Sequence, residues 1–187
     1  MLRVAVTTVL LFVVSSCADG DAASEPEDTA TVGEEGLTVT RDGGETYEFH
    51  DAVAECATSD AGAGDIEVVR LTAPADYRHA FRKGRLREPF LYVEVIPGIE
   101  GRREFPLGGR NFDEGPPDVV VFGADPEGQN ELSGDVEVAT GHVTIIEATC
   151  DPEPRVAFTI RATLGSEFSD GRSVHVWGGL EAGESPG

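Results

Sequence analysis

The chain has 187 residues, with 14 Lys and Arg against 35 Asp and Glu, for a net charge of −21. That length accommodates one domain plus a tether. So acidic a chain repels phosphate backbones overall, which excludes nucleic acid as an expected partner.

Arg3 is the only charge among the first sixteen residues, and between Val4 and Val14 only Thr7 and Thr8 interrupt an apolar run. A positive start, a short apolar core and small residues at a cut site mark a secretory signal. The run falls short of the roughly 20 apolar residues that a membrane-spanning helix needs. Val14-Ser15-Ser16-Cys17 resembles the lipobox of bacterial lipoproteins. The resemblance implies that residues 1–16 are a cleaved signal peptide and that Cys17 is the lipidated first residue of the mature protein. It places the protein in the cell envelope, on the extracytoplasmic side of a bacterial membrane. Each buried methylene of such an anchor contributes about 0.8 kcal/mol, and two acyl chains such as palmitate hold stably. The competing reading is an ordinary cleaved signal with an incidental thiol at Cys17.

Residues 17–36 carry Asp19, Asp21, Glu25, Glu27, Asp28, Glu34 and Glu35, with no aromatic residue. Such a segment buries too little apolar surface to offset its ordering entropy, and it reads as a disordered acidic tether. With Cys17 acylated, Cys56 and Cys150 remain, an even number in an exported chain, which reads as one disulfide. Closing a loop of about 100 residues contributes about 4.7 kcal/mol on the chain-entropy argument, less any strain. Two free thiols or half a metal site are the alternatives.

From Leu37 the texture turns to alternation. Residues 37–40 alternate, Asp42-Gly43-Gly44 supplies a turn, and Tyr47 and Phe49 alternate again, a hairpin pattern. Residues 57–64 read as a small-residue loop and 66–71 as a strand. Pro74 stands where a short helix could begin. Arg78, Arg82, Lys83, Arg85 and Arg87 follow with no acid among them. One reading is a patch for an anionic ligand or envelope polymer. The other is a solvated face whose arginines pair with the chain's surplus carboxylates.

Residues 90–96 are apolar on both faces and read as a central strand covered on each side. Pro97-Gly98 turns the chain and 103–107 returns, before a Gly- and Pro-rich loop at 108–117 and a strand at 118–122. The loop at 123–134, with Asp125, Glu127, Asn130 and Glu131, offers oxygen ligands that calcium favours, but without EF-hand spacing it reads as a solvated turn. Val136 and Val138 alternate, Gly141 turns, and Val143 and Ile145 continue towards Cys150. Val156, Phe158, Ile160, Ala162 and Leu164 share one face of a half-buried strand. Val174, Val176 and Leu180 repeat the pattern, which sets His175 and Trp177 outward. An outward Trp marks a ligand surface or covers a local edge. Residues 183–187 read as a frayed tail.

Short strands, regular turns and scarcely any helical periodicity predict an all-β ectodomain over 37–182, an antiparallel β-sandwich or partly open barrel. No catalytic motif, phosphate loop or zinc motif occurs, so no enzyme activity, cofactor or metal is expected. Residues 44–56 followed by 57–69, with their Gly-rich loop and alternating strand, resemble the small mycobacterial 19-kDa-type lipoprotein antigens. Those carry a lipobox, a low-complexity tether and a β-rich domain with one disulfide. The resemblance implies surface exposure and host or envelope interaction. Here Cys150 precedes the last two strands, and the Arg-rich middle has no counterpart in that pattern.

The expected role is therefore a lipid-anchored binding module on the outer face of the membrane, with an envelope protein, glycan or lipid as ligand. Its expected ligand surface lies at Trp177 or at the basic run 78–87. The alternatives are a structural envelope lipoprotein without a small ligand and a hydrolase with a carboxylate-based site.

Overall fold

A computed structural model describes residues 36–41, 44–60, 65–76, 89–108, 118–124, 131–135, 137–166 and 172–184. Among them are eleven strands and no helix. In chain order these are β1 (Leu37–Arg41), β2 (Thr46–Phe49), β3 (Val53–Asp60), β4 (Asp65–Ala73), β5 (Leu91–Val95) and β6 (Ile99–Pro106). They continue with β7 (Val119–Ala124), β8 (Glu131–Ser133), β9 (Thr140–Thr149), β10 (Arg155–Gly165) and β11 (Ser173–Ala182). The all-β, antiparallel reading of the sequence holds.

One sheet runs β2-β1-β11-β10-β8-β7-β5-β4-β3, with β9 on β10 and β6 on β9 as a branch. Strand β10 is the pivot. One of its edges pairs with β11 throughout, and its other edge pairs with β9 over residues 155–163 and then with Ser133 of β8 at Gly165. The sheet therefore curls into a half-barrel whose two arms, β3-β4-β5-β7-β8 and β2-β1-β11-β10-β9-β6, face each other. At the far end of β10 the curl nearly closes. There Ala54 N donates to Gly183 O at 2.8 Å and Ala54 bridges Glu184. Cys56 and Cys150 are joined in a disulfide beside that seam, with Cα atoms 5.9 Å apart.

Alternation explains the single core between the arms. Val69, Leu71, Leu91, Val93 and Val121 point in from one arm, and Val143, Ile145, Phe158, Ile160 and Val176 from the other. Fully burying a side chain of this kind contributes about 1.5–3 kcal/mol. Strand β5 is central, between β4 and β7, and its second face is buried at Phe90 and Glu94.

Several local expectations are corrected. Residues 57–60 are not loop; they continue β3 against β4, because small polar side chains are tolerated at the exposed end of a hairpin. Pro74 opens a bend and turn, not a helix, over the described residues 74–76. Strand β6 does not fold back on β5 but pairs with β9. Gly141 lies within β9 and makes no turn. Its φ of +104° and the close approach of Arg161 O, 2.2 Å from where a Cβ would stand, explain a glycine in mid-strand. Val138 precedes β9 in a turn, 56% exposed. Glu184, in the segment read as a tail, bridges Ala54.

Candidate binding face

The outward face of the β2-β1-β11-β10-β9-β6 arm is set by register. The inward positions of β10 and β11 are apolar, so the alternate residues must face solvent. Across the arm the pairing lines up Glu48, Thr38, Trp177, Arg161, His142 and Pro106 in one row. The neighbouring row holds Thr46, Thr40, His175, Thr163 and Thr140. Trp177 is 49% exposed, and with Val138 it is one of two large exposed apolar side chains among the described residues. Arg161 and His175 are exposed and His142 is half-buried. His175 Nδ1 lies 3.0 Å from Thr163 Oγ1, a hydrogen bond that fixes the imidazole on the sheet.

The next row holds Gly179, Thr159, Thr144 and Glu104. Gly178, with φ of +113°, lets β11 come close to Gly36 O, and Gly179 N donates to that same carbonyl at 3.1 Å. Thr38, Thr144 and Thr159 are buried although their register faces them outward. Beside Trp177, Arg161 and His175 thus stand exposed and His142 half-buried, while these three threonines are covered.

The outward face of the other arm carries a different arrangement. Tyr92 stacks on Phe122 with centroids 5.1 Å apart, and Phe90 lies parallel to Tyr92 at 6.1 Å. The Arg70 guanidinium sits 5.9 Å from the Tyr92 ring centroid. Arg70 Nε donates to Glu94 Oε1 at 2.7 Å, Ser59 Oγ donates to Glu94 Oε2 at 2.9 Å, and Glu55 stands 3.5 Å from Arg70 Nη1. Glu94 is 8% exposed, and its oxygens are engaged by partners on β3 and β4. This is a closed network that pins three strands together. Sequence reading made 90–96 a strand apolar on both faces but did not single out Glu94. Alternation at 90, 92 and 94 was the available signal.

Of the residues singled out in the sequence, Cys56 and Cys150 come together as a disulfide and Trp177 stands exposed on a sheet face. Cys17 and the basic run Arg78, Arg82, Lys83, Arg85 and Arg87 lie outside the described residues, as do Asp125, Glu127 and Asn130. Arg161 and His142, neighbours of Trp177, were missed, because their proximity follows from cross-strand register alone. Among the described residues no group of three or more His, Cys, Asp or Glu side chains is placed to hold a metal ion. No protein-family model, no curated protein and no solved structure matches the chain.

Proposed function

We propose that this protein is a lipid-anchored envelope protein whose β-domain is a binding module on the extracytoplasmic side of a bacterial membrane. Cys17 carries the diacylglyceryl anchor, residues 18–35 act as the tether, and the domain works above the lipid surface. The Cys56–Cys150 disulfide supports an oxidising compartment.

The carrying observation is Trp177. A Trp side chain offers about 150–250 Å² of surface for burial, and Trp and Arg are the residues most enriched at energetic centres of interfaces. Here the chain's single Trp is half exposed at mid-row on a sheet face, directly across from Arg161. Both arms already have a complete core between them, so the indole is not needed to cover it.

The test has two parts on full-length protein made in a bacterial host. Wild-type protein is expected in the membrane fraction with the mass of a diacylglyceryl-modified Cys17, and Cys17→Ser in the soluble fraction. Detergent-solubilised protein is expected to bind isolated envelope fragments of its source bacterium, and Trp177→Ala to weaken that binding by about tenfold or more. An unmodified Cys17, or envelope binding indifferent to Trp177, overturns the reading.

A further inference from the structure

We infer that the Trp177 face takes an uncharged glycan, stacked on the indole and held through its hydroxyls by Arg161, His142 and His175. The inference rests on the binding-module reading and names the ligand class of that face.

The first argument is the mix of side chains. A pyranose ring presents one face of C–H bonds and a rim of hydroxyls. It needs a flat apolar plate beside groups that both donate and accept hydrogen bonds. Trp177 supplies the plate. Arg161 supplies a planar fork of donors, and each imidazole supplies a donor or an acceptor according to its tautomer. Thr163, beside Arg161 on β10 and bonded to His175 Nδ1, carries a further hydroxyl on this face. A protein partner would favour a larger apolar centre than one indole, with the charge moved to the rim.

The second argument is the placement of charge. Glu48 and Glu104 stand at the two ends of this patch, on the edge strands β2 and β6. Glu181 and Glu147 lie one row beyond the Gly179 row, across Ala157. A polyanion lying across the face would meet these carboxylates, on a chain of net charge −21. Arg161 and Arg155, the exposed guanidiniums on this face of β10, are outnumbered by these four carboxylates. An uncharged ligand pays no such repulsion. The carboxylates then frame the site and select against acidic polymers, which is discrimination by a repulsive element.

The third argument is dimension. From Trp177 through Arg161 to His142 is two strand spacings, about 10 Å, and from Trp177 to His175 is about 7 Å along β11. Among the described residues the patch ends at β2 and β6 with no further strand beside them. It therefore suits an internal stretch of a chain ligand over a buried terminal unit.

Because Trp177 is the only Trp, its emission reports on this face alone. Detergent-solubilised full-length protein is titrated with cellotetraose, mannotetraose and chitotetraose as neutral probes, and with polygalacturonate as the anionic one. The expected result is a saturable change in emission with at least one neutral tetraose and none with polygalacturonate. Calorimetry is expected to show affinity for that tetraose falling about tenfold in Trp177→Ala and about fivefold in Arg161→Gln. Circular dichroism matching wild type establishes that both variants fold. In Glu104→Gln plus Glu181→Gln, neutral binding is expected unchanged while polygalacturonate gains affinity. Silence towards all three neutral probes, a response to polygalacturonate alone, or tetraose binding indifferent to Trp177 overturns the inference. If the neutral probes are silent while envelope fragments still bind in a Trp177-dependent way, the glycan assignment falls and the binding module stands. If both are lost, both fall.

Discussion

At the scale of single residues, Glu94 carries the sharpest energetic demand in the fold. Its side chain is 9% exposed and the side chain of Arg70 is 29% exposed, so neither charge is fully hydrated. Removing one partner of such a pair leaves the other desolvated, which costs more than the pair is worth intact. Arg70→Met keeps an apolar stem beside Tyr92 but strands the Glu94 carboxylate. It is expected to cost about 2 kcal/mol in urea unfolding. Glu94→Gln, which can still accept from Ser59 Oγ, is expected to cost about 1 kcal/mol. The double variant is expected to be less destabilised than the sum of the two, because no unpaired buried charge remains. A strictly additive cycle would show that the pair is not coupled.

At the scale of elements, the branch strand β6 is exposed along most of its length and, among the described residues, pairs with β9 alone. An open edge of this kind recruits other strands unless something blunts it. Glu100, Arg102, Arg103 and Glu104 place charge along it, and the register shifts between Glu100 and Arg103, which is a bulge. Arg103 is further held over the Phe105 ring at 4.9 Å and stands 3.7 Å from Asp118. Replacing both Arg102 and Glu104 with Val is expected to produce concentration-dependent association in light scattering while leaving the circular dichroism spectrum β-rich. A double variant that scatters like the parent would show that the bulge alone guards the edge. The same strand shows where sequence reading stops. Strand β10 was legible because its period-two pattern is local, and the outward setting of Trp177 followed from the same alternation on β11. The partner of β6 was not legible, since a return across Pro97-Gly98 onto β5 and a pairing with distant β9 leave the same local pattern. Gly141 misled for a related reason: its positive φ serves a close approach to Arg161 on β10, and a glycine in an alternating run looks like a turn. The neighbours of Trp177 are likewise a product of register, which no single strand encodes.

At the scale of the whole molecule, the half-barrel depends on two joints at opposite ends of β10. At one, Gly165 pairs with Ser133, and Gly134 N donates to Val121 O at 2.7 Å. At the other, the Ala54 contacts to Gly183 and Glu184 close the seam, and Cys56–Cys150 spans a sequence separation of 94 residues beside it. The two joints are not equivalent. The first is continuous with the β-ladder of β7 and β8, whereas the second is a single parallel bridge joining strands that otherwise have no ladder in common. The disulfide therefore acts where hydrogen bonding is thinnest. Its removal should weaken the chain in two ways that are separately measurable. Freed of the cross-link, the unfolded ensemble gains loop entropy, and the pair of substitutions Cys56→Ser and Cys150→Ser is expected to lower unfolding free energy by about 2–5 kcal/mol. In the native state the loss should be local, because the core contacts of β4, β5, β9 and β10 do not run through the sulfurs. Amide exchange is expected to rise most at residues 53–56 and 182–184, while the amides of β10 exchange only with global unfolding. Equal acceleration along β3 and β10 would mean that the seam is not a separate unit and that the curl opens only as a whole. The seam also lies away from Trp177, beyond the acidic row of Glu181 and Glu147. The disulfide variant should accordingly keep its Trp177 emission maximum, so that loss of the joint and loss of the binding face are distinguishable in one protein.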